Sequence, residues 1–200
     1  MALYHFTLTL SGVTADTEGL EDALFEAGCS DALVCFYGTA VYLDVDRESD
    51  SLAQAVLSAI ADIESSPLGA KVASVDSTLV GLSDIAALTG LSRQAVALLK
   101  EGARGSRQFP GPVQRVKGSS PLWSWYSVVN WLVAEGRLAP GSPLIAHART
   151  LDCLNLALQL RATSAREAVL GYLQQIEQPG RPAPSPQEYT CRSSLRPACG

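Results

Sequence analysis

The chain has 200 residues, is 47% hydrophobic and carries a formal charge of −5 with a pI near 5.0, enough apolar material for two small cores and a helical extension. It shows no signal-peptide pattern and no apolar run of the roughly 20 residues that a bilayer-crossing helix needs, so no membrane partner is expected. Cys29, Cys35, Cys153, Cys191 and Cys199 form no C-x-x-C pair and are odd in number, which argues against a zinc ribbon, a thioredoxin-type site or a disulfide framework and for a reduced, cytoplasmic setting, with redox sensing by the tail cysteines left open.

Residues 4–10 alternate Phe6, Leu8 and Leu10 against His5, Thr7 and Thr9, the period of a half-buried strand. Thr17 or Asp16 is placed to cap a helix whose stripe is Leu20, Ala23, Leu24 and Ala27, closed by Gly28. Residues 32–37 and 40–45 flank Gly38-Thr39 as a hairpin. Asp50 or Ser51 caps a second helix bearing Leu52, Val56, Leu57, Ile60 and Ile63, and Pro67-Leu68-Gly69 leads to a last strand at 71–75. The order βαββαβ predicts a ferredoxin-like domain over residues 1–77, with both helices on one face of a four-stranded antiparallel sheet and the other face available. At the level of topology alone it resembles ACT-type regulatory domains, which implies self-association or binding of a small-molecule or protein effector. Ser11-Gly12-Val13-Thr14 reads as a plain strand-to-helix turn rather than a pocket loop. Asp44, Asp46, Glu48 and Asp50 lack the glycine and terminal glutamate of a calcium loop, so they read as a solvated strand end and no metal is expected.

Residues 82–99 have the spacing of a helix-turn-helix. Ser83 is positioned to cap a first helix that buries Ile85, Ala86 and Leu88, with Ala86 small enough to admit a close neighbour. Gly90 supplies the positive φ of a helix end, Leu91 plugs the corner, and Ser92 caps a second helix that turns Val96 and Leu99 inward. Arg93 and Gln94 then lie on the exposed first turn, bearing the donors and acceptors that read guanine and adenine edges beside a helix N-terminus that favours phosphate. After Phe109-Pro110-Gly111-Pro112, a strand at 113–116, a turn at 117–121 and a return at 122–124 predict a wing. Val128, Trp131 and Leu132 in the next helix pack beneath it.

The motifs "DIA-x-L-x-G-LSRQ", "FP-x-PV" and "W-S-x-x-x-V-x-x-WL", over about Thr78 to Ala134, resemble winged helix-turn-helix regulators of the MerR and excisionase-like group. The resemblance implies a second helix in the major groove of double-stranded DNA, reading through Ser92, Arg93 and Gln94, and a wing that meets backbone or minor groove through Arg115 and Lys117. Ala97, Leu98 and Glu101 depart from a polar reading helix, so few base contacts are expected.

Residues 1–79 hold two basic residues, Arg47 and Lys71, against thirteen acidic ones, whereas residues 80–135 hold six basic against three acidic. That basic set, Arg93, Lys100, Arg104, Arg107, Arg115 and Lys117, falls on the reading helix, its following loop and the wing, as a phosphate-binding face requires. The acidic first domain would repel DNA, so it is expected to lie away from it or to serve another partner.

Pro140-Gly141-Ser142-Pro143 precedes a helix at 144–160 with Ile145, Leu151, Leu154, Leu156 and Leu158, and Ser164 is placed to cap another at 165–176 with Ala168, Val169, Tyr172, Leu173 and Ile176. These helices complete the core or pair two subunits, and a homodimer reading two half-sites is favoured. The tail at 178–200 holds five of the eleven prolines and reads as extended or disordered. His5 and His147 have no nucleophile elbow or phosphate loop to join, so neither an enzyme nor a cofactor is expected. The sequence therefore predicts an α+β chain: ferredoxin-like domain (1–77), winged helix-turn-helix (78–136), helical extension (137–177) and tail. Its expected function is a DNA-binding transcriptional regulator; the alternative is an antitoxin-like or phage-related assembly factor whose winged domain binds protein through an exposed Ala97 and Leu98.

Overall fold

The two-residue alternation at the N-terminus builds β1 (Ala2–Ser11), in which Phe6, Leu8 and Leu10 are buried while His5 and Thr9 face outward. The structure is a computed structural model that describes residues 1–76 and 78–178. From β1 the chain continues through α1 (Leu20–Glu26), β2 (Ala32–Tyr37), β3 (Ala40–Ser49), α2 (Leu52–Ser65) and β4 (Lys71–Val75). The four strands form one antiparallel sheet in the order β2-β3-β1-β4, which leaves β2 and β4 as edges. One face, with Phe6, Leu8, Val41, Leu43, Val45 and Val75, packs on Leu20 and Leu24 of α1 and on Leu52, Val56 and Ile63 of α2. A period-two strand has only one apolar face to bury, and the helices cover that one.

Local chemistry sets the turns. Gly38 opens the hairpin with φ 60°, as a glycine-first two-residue turn requires. Gly12, with φ 82°, also has no room for a side chain, because a Cβ would lie 2.8 Å from the Gly69 carbonyl oxygen. Neither Thr17 nor Asp16 caps α1: its N-cap is Gly19, and Thr17 Oγ1 instead accepts the Thr14 N–H at 2.9 Å, closing the preceding turn. Ser51 does cap α2, accepting the Gln54 N–H at 3.2 Å. Leu57 is exposed, contrary to expectation, because Ala55 and Ala59 define the inward line and Leu57 sits about 200° around the helix from Ala55.

A second cluster is built from β5 (Leu79–Val80), α3 (Leu82–Thr89), α4 (Arg93–Lys100), β6 (Trp123–Ser124) and α5 (Trp125–Ala134). Its centre is Val80, Ile85, Val96, Leu99, Trp123, Val128 and Leu132. α6 (Pro143–Ala162) serves both clusters: Ala148 enters the second, and Leu151 and Leu158 enter the first. Both clusters accordingly belong to one compact unit, Met1–Leu158. On α6, Leu156 is exposed while Ile145 and Leu154 are half-buried.

The second unit begins at Gln159 and includes α7 (Arg166–Glu177). Ser164 does not cap α7; Thr163 Oγ1 accepts the Ala165 N–H at 3.1 Å, and the N-cap position is Ala165. The expected burial of Ala168, Val169, Tyr172, Leu173 and Ile176 is not seen: all are exposed, and Gly171 is the buried position of this helix. The reading of an extended tail, with Cys191 and Cys199, falls on residues 179–200, outside the described residues. No helix among the described residues is long and apolar enough to cross a membrane.

Candidate nucleic-acid interface

α3 and α4 are joined by three residues, each with a distinct task. Gly90 ends α3 with φ 70°, Leu91 packs half-buried against the second core, and Ser92 Oγ accepts the Ala95 N–H at 3.1 Å to start α4. Val96 and Leu99 are buried, which turns Arg93, Gln94 and Lys100 to solvent. At the other end Ser83 is not the cap of α3. The N-cap is Gly81, whose N–H donates to Asp84 Oδ2 at 2.8 Å, so a carboxylate in the first turn takes the orphan donor. Leu88 is exposed rather than buried, since it lies about 200° around α3 from the inward Ala86.

α4 ends in a left-handed Gly102 with paired bonds, Ala103 N–H to the Leu98 carbonyl at 3.0 Å and Gly102 N–H to the Leu99 carbonyl at 3.1 Å. The following loop presents Arg104 and Arg107, both exposed. It is tied down by Glu135 at the end of α5, whose Oε2 accepts the Ser106 N–H at 2.9 Å. Bonding from the Ser106 side chain, then from its backbone, holds the Glu135 carboxyl below the usual range. Phe109 closes the loop edge-on against Trp131, with centroids 5.0 Å apart, and Trp123 Nε1 donates to the Pro110 carbonyl at 2.9 Å.

The expected strand at 113–116 is reduced to one bridge, Gln114 opposite Leu122, with the Leu122 N–H donating to the Gln114 carbonyl at 3.0 Å. Trp123 and Ser124 pair with β5 instead of with 113–116. The physical reason is Arg115, whose φ of 52° breaks the extended run, while the Gly118 N–H donates back to the Arg115 carbonyl at 2.9 Å and closes a tight tip. Arg115 and Lys117 are exposed in this tip.

Charge pairing separates the two clusters. Arg47 holds Asp31 and Asp62, each at 2.7 Å, and Lys71 holds Glu64 at 3.2 Å. Among the described residues, by contrast, Arg93, Arg104, Arg107, Arg115 and Lys117 have no carboxylate within ion-pair distance, and Lys100 has only its neighbour Glu101 at 3.8 Å. Ser92, Arg93 and Gln94 share the first turn of α4, and Arg115 and Lys117 share the hairpin tip. Ala97 and Leu98 are half-buried, not exposed as expected, because the chain after α4 bonds back onto the Leu98 carbonyl. Sequence reasoning missed Glu135, Phe109 and Trp123 as the groups that position this surface; only the Gly105-Ser106 pair between two arginines hinted at a constrained loop.

Neither histidine belongs to this surface. His5 Nδ1 lies 2.8 Å from Asp46 Oδ1 on the open sheet face, and the His147 ring meets Tyr4 edge-on at 5.7 Å. No protein-family model, no curated protein and no solved structure matches this chain.

Proposed function

We propose that this protein is a sequence-specific DNA-binding transcriptional regulator that works by binding, without covalent chemistry. The observation that carries the reading is the clustering, on the α4 first turn, the loop after it and the hairpin tip, of five exposed cations that have no carboxylate partner among the described residues. Exposed cationic side chains without carboxylate partners are free to pair with phosphate. In this reading α3, the Gly90 turn and α4 are the helix-turn-helix of a winged domain, α4 enters the major groove, and the tip at 115–118 is a short wing. Arg93 and Gln94 read bases while Lys100, Arg104, Arg107, Arg115 and Lys117 meet phosphates. The first cluster, with its ferredoxin-like strand order, is the effector or partner domain. The exposed apolar side chains of α7 support a homodimer that spans two half-sites.

The deciding experiment measures affinity for a fragment of the protein's own promoter across a salt series. Specific binding should be lost in an Arg93→Ala, Gln94→Ala double variant, whereas Arg115→Ala or Lys117→Ala should weaken all DNA alike and reduce the salt slope by about 0.9 each. Wild-type binding no tighter to the promoter than to random DNA would sink the reading. Exposed Leu88 on α3 favours the second reading, an assembly factor whose winged domain contacts protein.

A further inference from the structure

The two edges of the four-stranded sheet are treated differently. β4 is bonded at Val75 by Asn155 of α6 and at the Val72 N–H by Glu64 of α2, whereas β2 lies open. Proteins blunt open edges with lysine, proline or a bulge. β2 has none of these: it reads Ala-Leu-Val-Cys-Phe-Tyr, without a charge, and runs in unbroken register with β3. The Asp46 N–H donates to the Asp31 carbonyl at 2.9 Å, which sets the phase of the ladder. Odd-numbered residues of β2 therefore bond β3, and Val34 and Phe36 direct their N–H and C=O groups away from the sheet.

Alongside this edge run two adjoining cavities against α1, of about 320 and 260 Å³. The first is bounded by Phe25 and Val34, the second by Phe36, and both share Glu21 and Asp22 as a wall. Neither acid has an ion-pair partner among the described residues. Their position in the first turn of α1 suits the helix dipole without one. The result is a slot of mixed polar and apolar lining with an edge of unpaired backbone on one side and two carboxylates on the other.

We propose that this slot binds an extended peptide segment of a partner protein, which adds a fifth strand beside β2 and places a lysine or arginine between Glu21 and Asp22. Charge chooses this occupant over a second copy of the chain. A two-fold pairing of β2 with itself would bring α1 beside α1, and that helix carries Glu21, Asp22 and Glu26 with no basic residue. A basic strand meets the acids instead. Residues two apart share a strand face, so a basic residue and the apolar residues at every second position all face α1, where the one meets Glu21 and Asp22 and the others cover Phe25, Val34 and Phe36. The partner chemistry is thus a short extended segment that carries apolar and basic residues on one strand face. The inference goes beyond DNA binding and is independent of it, since no DNA enters its test.

The test uses the full chain and three labelled octapeptides: one with valine and lysine in turn at every second position and threonine between them, the same with glutamate for lysine, and the valine-lysine peptide N-methylated at alternate residues. The first should bind saturably, with amide shifts at Val34 and Phe36. A Glu21→Gln, Asp22→Asn double variant should weaken it by at least about tenfold. N-methylation, which removes strand donors while keeping charge, should weaken it as much without altering the protein. Equal binding of the N-methylated or glutamate peptide, or no binding of the first, would overturn the proposal. So would protection of the Val34 and Phe36 amides from exchange without peptide in a chain that sediments as a dimer, because a second copy would then occupy the edge.

Discussion

Asn155 bonds Val75 as a neighbouring strand would: its Nδ2 donates to the Val75 carbonyl at 2.6 Å, and the Val75 N–H donates to its Oδ1 at 3.0 Å. The same Nδ2 donates to the Leu151 carbonyl at 3.1 Å, so the buried amide is used on every side that faces protein. One side chain on α6 thereby closes the β4 edge at Val75 and fastens the helix that Ala148 also seats in the second core.

Asn155→Ala leaves the N–H and C=O of Val75 buried without partners, each costing about 1–3 kcal/mol. We expect a total loss of about 2–4 kcal/mol in urea unfolding, larger than any single exposed substitution on α6. A loss below about 1 kcal/mol would mean that water replaces the amide.

Arg47 donates through Nε and Nη2 to Asp31 at 2.7 and 2.9 Å and through Nη1 to Asp62 at 2.7 Å. That bonding holds the Asp31 carboxyl below its ordinary 3.8. A lowered folded-state pKa contributes stability that is present above pH 3.8 and lost as pH falls through the folded value. Both carboxylates keep some water contact, so Arg47→Met should cost about 2 kcal/mol, less than a fully buried pair. Its urea midpoint should also lose the acid-dependent step expected of the wild type below pH 3.8.

Gly105 has φ 82°, and a Cβ there would lie 2.8 Å from Glu135 Oε2, the atom that accepts the Ser106 N–H. Gly105→Ala should therefore cost about 1 kcal/mol or more locally and free the loop that presents Arg104 and Arg107. Trypsin cleavage after those arginines should accelerate severalfold, while the stability of the whole unit in urea falls by no more than that local cost. Unchanged cleavage would show that the tether does not order the loop. Because Glu135 sits below the usual 4.5, the tether is complete above that pH and releases as pH falls through the lowered value.

Burial, reinforced by Asp62, pushes the Cys29 thiol up to about 11. At pH 8 its thiolate fraction is about one in a thousand, whereas Cys153 is exposed on α6. Iodoacetamide followed by peptide mapping should label Cys153 within minutes and Cys29 only after denaturation. Rapid labelling of Cys29 in the native chain would contradict the packing of α1 on the sheet.

Most element positions were readable locally. The alternation in β1, the Gly38-Thr39 turn, and Ser51 and Ser92 as caps depend on residues a few positions apart, and each is found in the structure. Ser83, Thr17 and Ser164 are equally plausible caps by sequence, but Gly81, Gly19 and Ala165 hold the N-cap positions, and Asp84 and Thr163 accept the N–H groups of Gly81 and Ala165, because backbone geometry one or two residues away decided which donor needed a partner. The hairpin failed as a regular strand at Arg115, whose positive φ has no signature in residue type.

What the sequence determined by itself is the periodicity of strands and helices, the acidic first half and the basic stretch from Arg93 to Lys117. These follow from side-chain chemistry within a turn or two of chain. Only the tertiary structure decided that β2 is the open edge and β4 the closed one, and that Asn155 reaches Val75 across 80 residues. The reason is physical: a strand's spare hydrogen-bonding edge and a cation's missing partner are properties of what lies beside them in space, which no local pattern encodes.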